Sequence, residues 1–293
     1  MKFSIVVPSF NHSPYLRANL DSILLQEHRD VEILVNDGGS NDGSVEILAS
    51  YGNRIQWSSG RDHGQTDAIN KGLLVASGEI LAYLNSDDIY LPGAFQRVAA
   101  HFAAHPACDL LYGNAWHLKA DGSVVEAYPT EPWNYDRLFQ YCFLCQPAVF
   151  WRRRLLPRFG LFDERLHFAM DYEYWLRLGA AAEIHHLPGE PLAGSRLHAD
   201  TKTLRSRLAV HREILQVVRR RARRPADCYT WLKHLASIEA TENGWGTSPM
   251  PEKQKKHAMV YAGRLLARAE EYQIELDDQL LRELAAIASD SPR

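Results

Sequence analysis

The sequence predicts an α/β fold of parallel strands with helices on both faces. Two observations carry this reading. In the first 105 residues, short apolar runs alternate with segments of helical spacing, the pattern of strands joined by crossover helices. Each apolar run also ends in a polar, turn-rich segment, and open sheets of this kind bind ligands at the carboxyl ends of their strands. The composition agrees: a chain of 293 residues, 46% hydrophobic and 24% charged, is that of a globular protein.

The elements follow in order. Residues 3–7, FSIVV, read as a buried strand that the chain leaves at Pro8. Ser13 and Pro14 read as N-cap and first position of a helix, with Leu16, Leu20, Ile23 and Leu24 at helical spacing. VEILVN (31–36) is a second strand, running into the turn-rich DGGSNDGS (37–44), where Ser44 caps a helix through Ala49. Residues 66–77 read as a helix stopped by Gly78. EILAYLN (79–85) is the next strand, and Leu91-Pro92 opens a helix carrying Phe95, Val98 and Phe102. The segments Pro8–Asn11, Asn36–Ser44 and Asn85–Asp88 should then converge on one sheet edge.

Beyond residue 105 the pattern changes. DLLYGNAWHLKA, the turn Asp121-Gly122 and SVVEAY read as an antiparallel hairpin. QPAVFWRR (146–153) reads as a strand and DYEYWLRLGA (171–180) as a helix. Residues 203–220 read as a basic amphipathic helix ending in the arginine-rich run Arg219–Arg224. Residues 226–289 carry only helix-like pattern, including 258–271 and 275–288, and no internal repeat is present.

Several function classes are excluded. The 33 Lys+Arg against 36 Asp+Glu give a net charge of −3, which argues against a broad nucleic-acid-binding face. No apolar run reaches the ~18 residues of a membrane span. The opening apolar run is too short for a signal peptide, so a cytoplasmic chain is expected. Cys108, Cys142, Cys145 and Cys228 suit that compartment. Cys142 and Cys145 form a CxxC without a second ligand pair for zinc and read as buried, inert thiols.

Five features carry chemistry. Asp87 and Asp88, adjacent at a strand end, either cap the next turn or hold Mg²⁺ or Mn²⁺ through hard oxygens. The DGGSNDGS loop is neither a P-loop nor a dinucleotide fingerprint. It is a polar turn, or a site where Asp37 accepts the imide N–H of a base. Asp171 precedes an aromatic-rich helix, as N-cap or as general base. Arg196, His198 and Lys202 place cations in the loop-like GSRLHADTKT, solvated or facing an anion such as pyrophosphate. The arginine run at 219–224 is a solvated helix end, or a contact for phosphate or anionic lipid.

Together these motifs resemble glycosyltransferases of family 2 with the GT-A fold. IVVPSFN (5–11) resembles the family's opening strand and turn, and VNDGGSNDGS (35–44) its nucleotide-binding loop. DHGQTDAINKGLLVASGEI (62–80) resembles the segment before the metal motif, and LNSDD (84–88) the D-x-D region. QPAVFWRR and GLFDERLHFAMDYEYWLRL (160–178) resemble the acceptor side, and RLHADTKT (196–203) the late R-x-H segment. The resemblance implies a Rossmann-like nucleotide-sugar-binding sheet with a C-terminal helical extension. Residues 1–105 would form the donor half, 106–203 the acceptor half and 204–293 a helical region.

The implied roles fall on named residues. Pro8, Ser9, Asn11, Gly38, Ser40, Asp62, Asp67, Asn85 and Ser86 would belong to the nucleotide site, and Asp37 would hold the base imide. Asp87 and Asp88 would serve a Mn²⁺ or Mg²⁺ ion, with Arg196 and His198 closing over pyrophosphate or metal. Asp171 would be the general base. One position departs from the family pattern: Asn85 stands where D-x-D begins with aspartate, which puts metal affinity in question.

The expected activity is inverting, metal-dependent transfer from a nucleotide-diphosphate sugar, a UDP-sugar above all, to a glycan or lipid-linked saccharide. Surface polysaccharide assembly is the implied process. The alternative is a non-catalytic nucleotide-sugar-binding scaffold, for which Asn85 is the sole support. A nucleotidyltransferase is disfavoured because VPSFNHSPY lacks a glycine-rich basic loop. For 204–293 three roles stay open: packing on the catalytic domain, self-association, or peripheral contact with the inner face of a membrane.

Overall fold

A computed structural model describes residues 1–198, 201, 206–221, 235, 238 and 263–271. Lys202, residues 222–224, Cys228 and the expected helix at 275–288 lie outside the described residues. The chain divides into two compact units. The first comprises Met1–Asn134 and Cys142–Thr201, the second Tyr135–Tyr141 and Lys202–Arg293.

The first unit holds a seven-stranded sheet and a four-stranded sheet. Its opening section runs β1 (Phe3–Ser9), α1 (Ser13–Leu24), β2 (Val31–Asp37), α2 (Ser44–Ser50), β3 (Gln56–Ser59), α3 (Gln65–Val75) and β4 (Ile80–Tyr83). β5 (Ile89–Tyr90), α4 (Ala94–Ala104), β6 (Leu110–Gly113), β7 (Ala115–Leu118) and β8 (Val124–Ala127) follow. In the second unit, α5 (Tyr135–Gln140) buries Leu138 and Phe139. The first unit closes with β9 (Val149–Arg152), α6 (Leu156–Phe159), α7 (Met170–Gly179), β10 (Ile184–Leu187) and β11 (Ala193–Arg196). The second unit also contains α8 (Arg207–Arg221), and residues 263–271 are helical.

The large sheet has the order β10-β6-β9-β4-β1-β2-β3. β1 pairs in parallel with β2 and β4, and β2 with β3, as alternating strands and helices require. β9 enters antiparallel between β4 and β6. Every residue of β1 is buried, which suits a strand covered on both faces. Leu16, Leu20 and Ile23 of α1 pack into this core beside Phe3, Phe95 and Phe150. The small sheet has the order β5-β11-β7-β8, and its first strand follows β4 in the chain. Among the described residues no helix is long and apolar enough to cross a membrane.

Several expectations shift by physical cause. The predicted hairpin is divided: its first run becomes β6 of the large sheet, and only β7 and β8 pair as a hairpin, around Gly122 at φ +88°. The helix expected from Leu91-Pro92 begins at Ala94, after Gly93 in a left-handed conformation. Neither Ser13 nor Ser44 caps its helix. Asp42 serves both, accepting the Ser13 N–H on Oδ2 and the Ser44 N–H and Oγ–H on Oδ1. Burial works against its ionisation, yet these hydrogen bonds from Ser44 and Ser13 hold its pKa down at about 2. Arg196 lies on β11 and not in a loop.

Candidate active site

The loops after β1 and β2 are laced together. The Gly38 N–H donates to the Ser9 carbonyl at 2.8 Å, and the Asn11 N–H to Ser40 Oγ at 2.8 Å. The Asn41 N–H returns to Asn11 Oδ1 at 3.0 Å. Asn11 sits at φ +53°, a left-handed conformation that asparagine tolerates better than most residues. Gly38 leaves no room for a side chain: a Cβ there would lie 3.0 Å from Asp62 Oδ2 and 3.2 Å from the Phe10 ring. Phe10, Gly38 and Asp62 therefore meet at one spot, where Phe10 is 59% exposed. Pro8 and Ser9 are buried beneath it, and Ser9 Oγ has no hydrogen-bond partner among the described residues.

Asp37 is anchored by its own loop and by β3. Its Oδ2 accepts from the Gly39 N–H, the Ser40 N–H and Ser59 Oγ, and its Oδ1 from Ser40 Oγ. Each carboxylate oxygen has two lone pairs, so Oδ2 is filled by the loop and the neighbouring strand while Oδ1 keeps one acceptor site, and Asp37 lines the cavity at this strand edge. Asp62 accepts the Gly64 N–H on Oδ1 at 2.8 Å and turns Oδ2 toward Gly38. Asp67 binds Lys71 Nζ at 2.8 Å and the His63 N–H at 2.9 Å, and these bonds hold its carboxyl below the usual range. A cavity of about 280 Å³, with Asn36, Ser58, Asp62 and Lys71 in its wall, opens at the carboxyl ends of β2 and β3.

After β4 the two adjacent carboxylates have different fates. Asp88 is 3% exposed, and its Oδ1 accepts the Arg196 N–H at 2.7 Å. Burial, and then the Asp87 charge, push its carboxyl well above the ordinary range. Asp87 Oδ2 instead lies 2.9 Å from His198 Nε2. His12 joins them: His12, Asp87 and His198 each offer a ligand atom within 4.8 Å of the others. Asp88 is built into the fold, whereas Asp87 is presented within a cation-sized donor set.

Ser86 and Arg196 both make internal contacts. Ser86, placed with the nucleotide by the sequence, is buried, with its Oγ 2.7 Å from His12 Nδ1. It orients that ring. Arg196, expected over pyrophosphate, is 6% exposed. Its Nε donates to the Asp87 carbonyl at 2.7 Å and its Nη1 to the Ala120 carbonyl at 2.9 Å. Pairing of β11 with β7 carries residue 196 to the β7–β8 turn. Tyr15 completes the assembly, with the Arg196 guanidinium 5.1 Å from its ring centroid and the His198 ring 4.9 Å away. His12, Tyr15 and Phe10 were missed in the sequence, although all three lie in or just beyond the PSFN turn.

Asn85 is an organiser. Its Oδ1 accepts from Gln65 Nε2 at 2.6 Å, and its Nδ2 faces Gln146 Oε1 at 3.2 Å and Asp88 Oδ2 at 3.4 Å. An aspartate here would lose the donor and set a second carboxylate against Asp88. The Asn85→Asp variant is therefore expected to lose about 1–3 kcal/mol of stability. A carboxyl whose folded pKa is raised loses stability as pH rises, so the deficit grows from pH 5 to pH 8. Urea unfolding at both values checks this, and equal midpoints for variant and wild type would remove the amide's role.

Asp171 sits in the first turn of α7 and accepts the Tyr172 N–H at 2.7 Å. Burial raises its carboxyl to about 6, against the lowering effect of that hydrogen bond. Tyr83 and Cys145 are pushed up first by burial and then by the charges of both Asp171 and Asp88. The two carboxylates thus act on the same buried pair, one from the start of α7 and one from the loop after β4. Cys142 and Cys145 are free thiols whose pKa values burial drives up, in keeping with inert cysteines.

The sequence model of glycosyl transferase family 2 matches residues 4–151, half of the chain. The chain belongs to this family. A glycosyltransferase of PGL/p-HBAD biosynthesis from Mycobacterium bovis is 32% identical over 180 residues, covering 60% of this chain and 68% of the relative. An uncharacterised glycosyltransferase of Rickettsia prowazekii is 27% identical over 213 residues, covering 68% of this chain and 65% of its own length. Among solved structures, residues 1–349 of S. aureus TarS in complex with UDP-GlcNAc superpose with a TM-score of 0.65 at 19% identity, over 98% of this chain and 88% of that fragment. A Pyrobaculum calidifontis mannosyltransferase bound to GDP-Man and Mn²⁺ gives 0.60 at 16% identity, over 98% and 86%. These likenesses establish the GT-A fold for this family 2 glycosyltransferase.

Proposed function

We propose that this glycosyltransferase moves a sugar, with inversion, from a nucleotide-diphosphate donor to a hydroxyl of a glycan or lipid-linked saccharide. A UDP-sugar is the favoured donor. The observation that carries the reading is the His12–Asp87–His198 donor set at the carboxyl edge of the sheet, in a fold whose acceptor side holds the raised carboxyl of Asp171. Residues 1–105 supply the donor side and 106–203 the acceptor side.

The base enters the cavity beside Asp62, with the exposed Phe10 ring offering an apolar face. Asp62 Oδ2, or the remaining acceptor site on Asp37 Oδ1, takes the imide N–H. His12, Asp87 and His198 would hold the divalent cation. Two imidazoles and one carboxylate fit Mn²⁺ better than Mg²⁺, which prefers oxygen ligands. When bound, the ion neutralises charge on the departing diphosphate. Asp171 removes the proton of the acceptor hydroxyl as that oxygen attacks the anomeric carbon from the face opposite the diphosphate. One displacement inverts that carbon and needs no covalent sugar–enzyme intermediate. Holding donor and acceptor in line supplies a further large part of the acceleration.

The test is direct. Purified protein is titrated calorimetrically with UDP, dTDP, GDP and CDP, with Mn²⁺ and with EDTA, and the product's anomeric configuration is read by NMR. A metal-dependent preference for UDP and an inverted product support the proposal. Retention of configuration removes the single-displacement mechanism, nucleotide binding without transfer favours the scaffold reading, and absence of nucleotide binding overturns the donor site.

A pH profile follows from Asp171. A base must be ionised to accept a proton, and this carboxyl titrates at about 6. Initial rates at low substrate are expected to be level above that value. Below it they fall toward about tenfold per pH unit. A profile flat down to pH 5 would exclude Asp171 as the titrating base.

A further inference from the structure

We propose that His101, Cys108 and His185 form a second metal site, specific for Zn²⁺, at the amino-terminal edge of the large sheet. The three residues each offer a ligand atom within 4.8 Å of the others. His101 lies in the last turn of α4, Cys108 in the loop before β6, and His185 on the edge strand β10. Asp87 follows the carboxyl end of β4, and β6 and β10 run parallel to that strand. The cluster thus lies at the opposite end of the strands from the catalytic loops.

The donor chemistry is that of zinc. Two imidazoles and a thiolate, with a fourth position left for water, make a tetrahedral N/S set. Ring nitrogens about 3.3 Å apart are what tetrahedral zinc requires at its usual bond lengths. His101 Nε2 and His185 Nδ1 are 2.9 Å apart. One proton now lies between them, and a cation would replace it without moving either ring far.

The surroundings are arranged around that set. His185 Nε2 is 3.2 Å from Glu183 Oε1, the carboxylate–histidine pairing that fixes the tautomer of a metal-bound ring. His105 stacks on His101 with ring centroids 4.2 Å apart and bonds the His101 carbonyl through Nδ1. Cys108 is fully buried, and burial first of all raises its thiol, to about 12. The Arg152 charge and the His185 N–H pull the other way, the Asp109 and Glu183 charges act with burial, and the thiol donates to the Leu110 carbonyl at 3.3 Å. Metal binding would release the Cys108 proton to solvent and leave sulfur as ligand. The C-terminus of α4 adds a dipole end that favours positive charge. Bound zinc would clip α4, the following loop and the exposed sheet edge together.

Co²⁺ alone is the probe, added to the EDTA-stripped full-length protein and followed by absorption. The expected result is a saturable sulfur-to-cobalt charge-transfer band, bleached by Zn²⁺. That band does not come from the His12–Asp87–His198 set, which contains no sulfur, and Cys108→Ser separates it from the other three cysteines. It is expected to persist in Asp87→Asn, to vanish in Cys108→Ser, and to need more than about tenfold higher Co²⁺ in His185→Gln. His101→Gln keeps the thiol and serves if Cys108→Ser fails to fold. No charge-transfer band in the wild type, or an undiminished band in Cys108→Ser or His101→Gln, overturns the proposal.

Discussion

Asp171→Asn is expected to lower transfer by about 10²–10⁴-fold while leaving nucleoside diphosphate affinity unchanged. The substitution is close to isosteric. The amide oxygen still accepts the Tyr172 N–H, so the first turn of α7 keeps its hydrogen bond. What disappears is the basic oxygen. Loss of a negative charge at the helix N-terminus costs only about 0.3–1 kcal/mol, so the variant should fold. The nucleotide side is untouched, because Asp62, Asp87 and His198 stand on other segments. Two measurements separate base from scaffold: transfer rate, and UDP titration in Mn²⁺. Residual transfer should also lose the acidic limb near pH 6. Transfer at the wild-type rate would remove Asp171 from the base role. Loss of UDP binding would show that it supports the donor site instead.

The fold was legible wherever the hydrophobic pattern carried it. β1, β2, β4 and the helices between them announce themselves by apolar runs and helical spacing. β3 did not, because Gln56–Ser59 is an exposed edge strand without alternation, and β5 has only two residues. Helix capping was misplaced for a reason of geometry. Ser13 and Ser44 are good local caps, but Asp42 reaches both helix starts once Gly43 turns left-handed at φ +95°. Such a shared cap depends on two segments meeting, which spacing along the chain does not encode.

The site divides in the same way. Asp87, Asp171 and His198 lie in linear motifs and were named from them. Part of what engages Asp37 and Arg196 was invisible, because Ser59 and Ala120 come from elsewhere in the chain. Ser59 reaches Asp37 from β3, and the carbonyl of Ala120 reaches Arg196 from a turn. His12 was passed over because a lone histidine beside a Ser-Pro helix start carries no signal. It acquires meaning only when Ser86, 74 residues on, holds its ring beside Asp87.

That arrangement makes the cation site the second place where a single substitution should act strongly. Asp87→Asn is expected to reduce the Mn²⁺-dependent part of UDP binding to the level measured in EDTA, and to lower transfer by at least about 10²-fold. The carboxylate is the one anionic member of the His12–Asp87–His198 set, and its Oδ2 already faces His198 Nε2 at 2.9 Å. An amide there keeps the shape and loses the charge. Asp88 does not substitute for it, since its Oδ1 holds the Arg196 N–H in a buried position. His12→Ala should weaken Mn²⁺ binding while leaving nucleotide binding in EDTA intact. Ser86→Ala should weaken Mn²⁺ by about 10–100-fold without removing any ligand, through loss of the hydrogen bond that orients the His12 ring. Three outcomes rank the donors. If His12→Ala matches the wild type in Mn²⁺, the site rests on Asp87 and His198 alone. If Asp88→Asn is the variant that loses Mn²⁺ while still folding, the carboxylates have been assigned the wrong way round. If Mg²⁺ supports transfer as well as Mn²⁺ does, the imidazoles are not in the coordination sphere, because that ion takes oxygen ligands by preference.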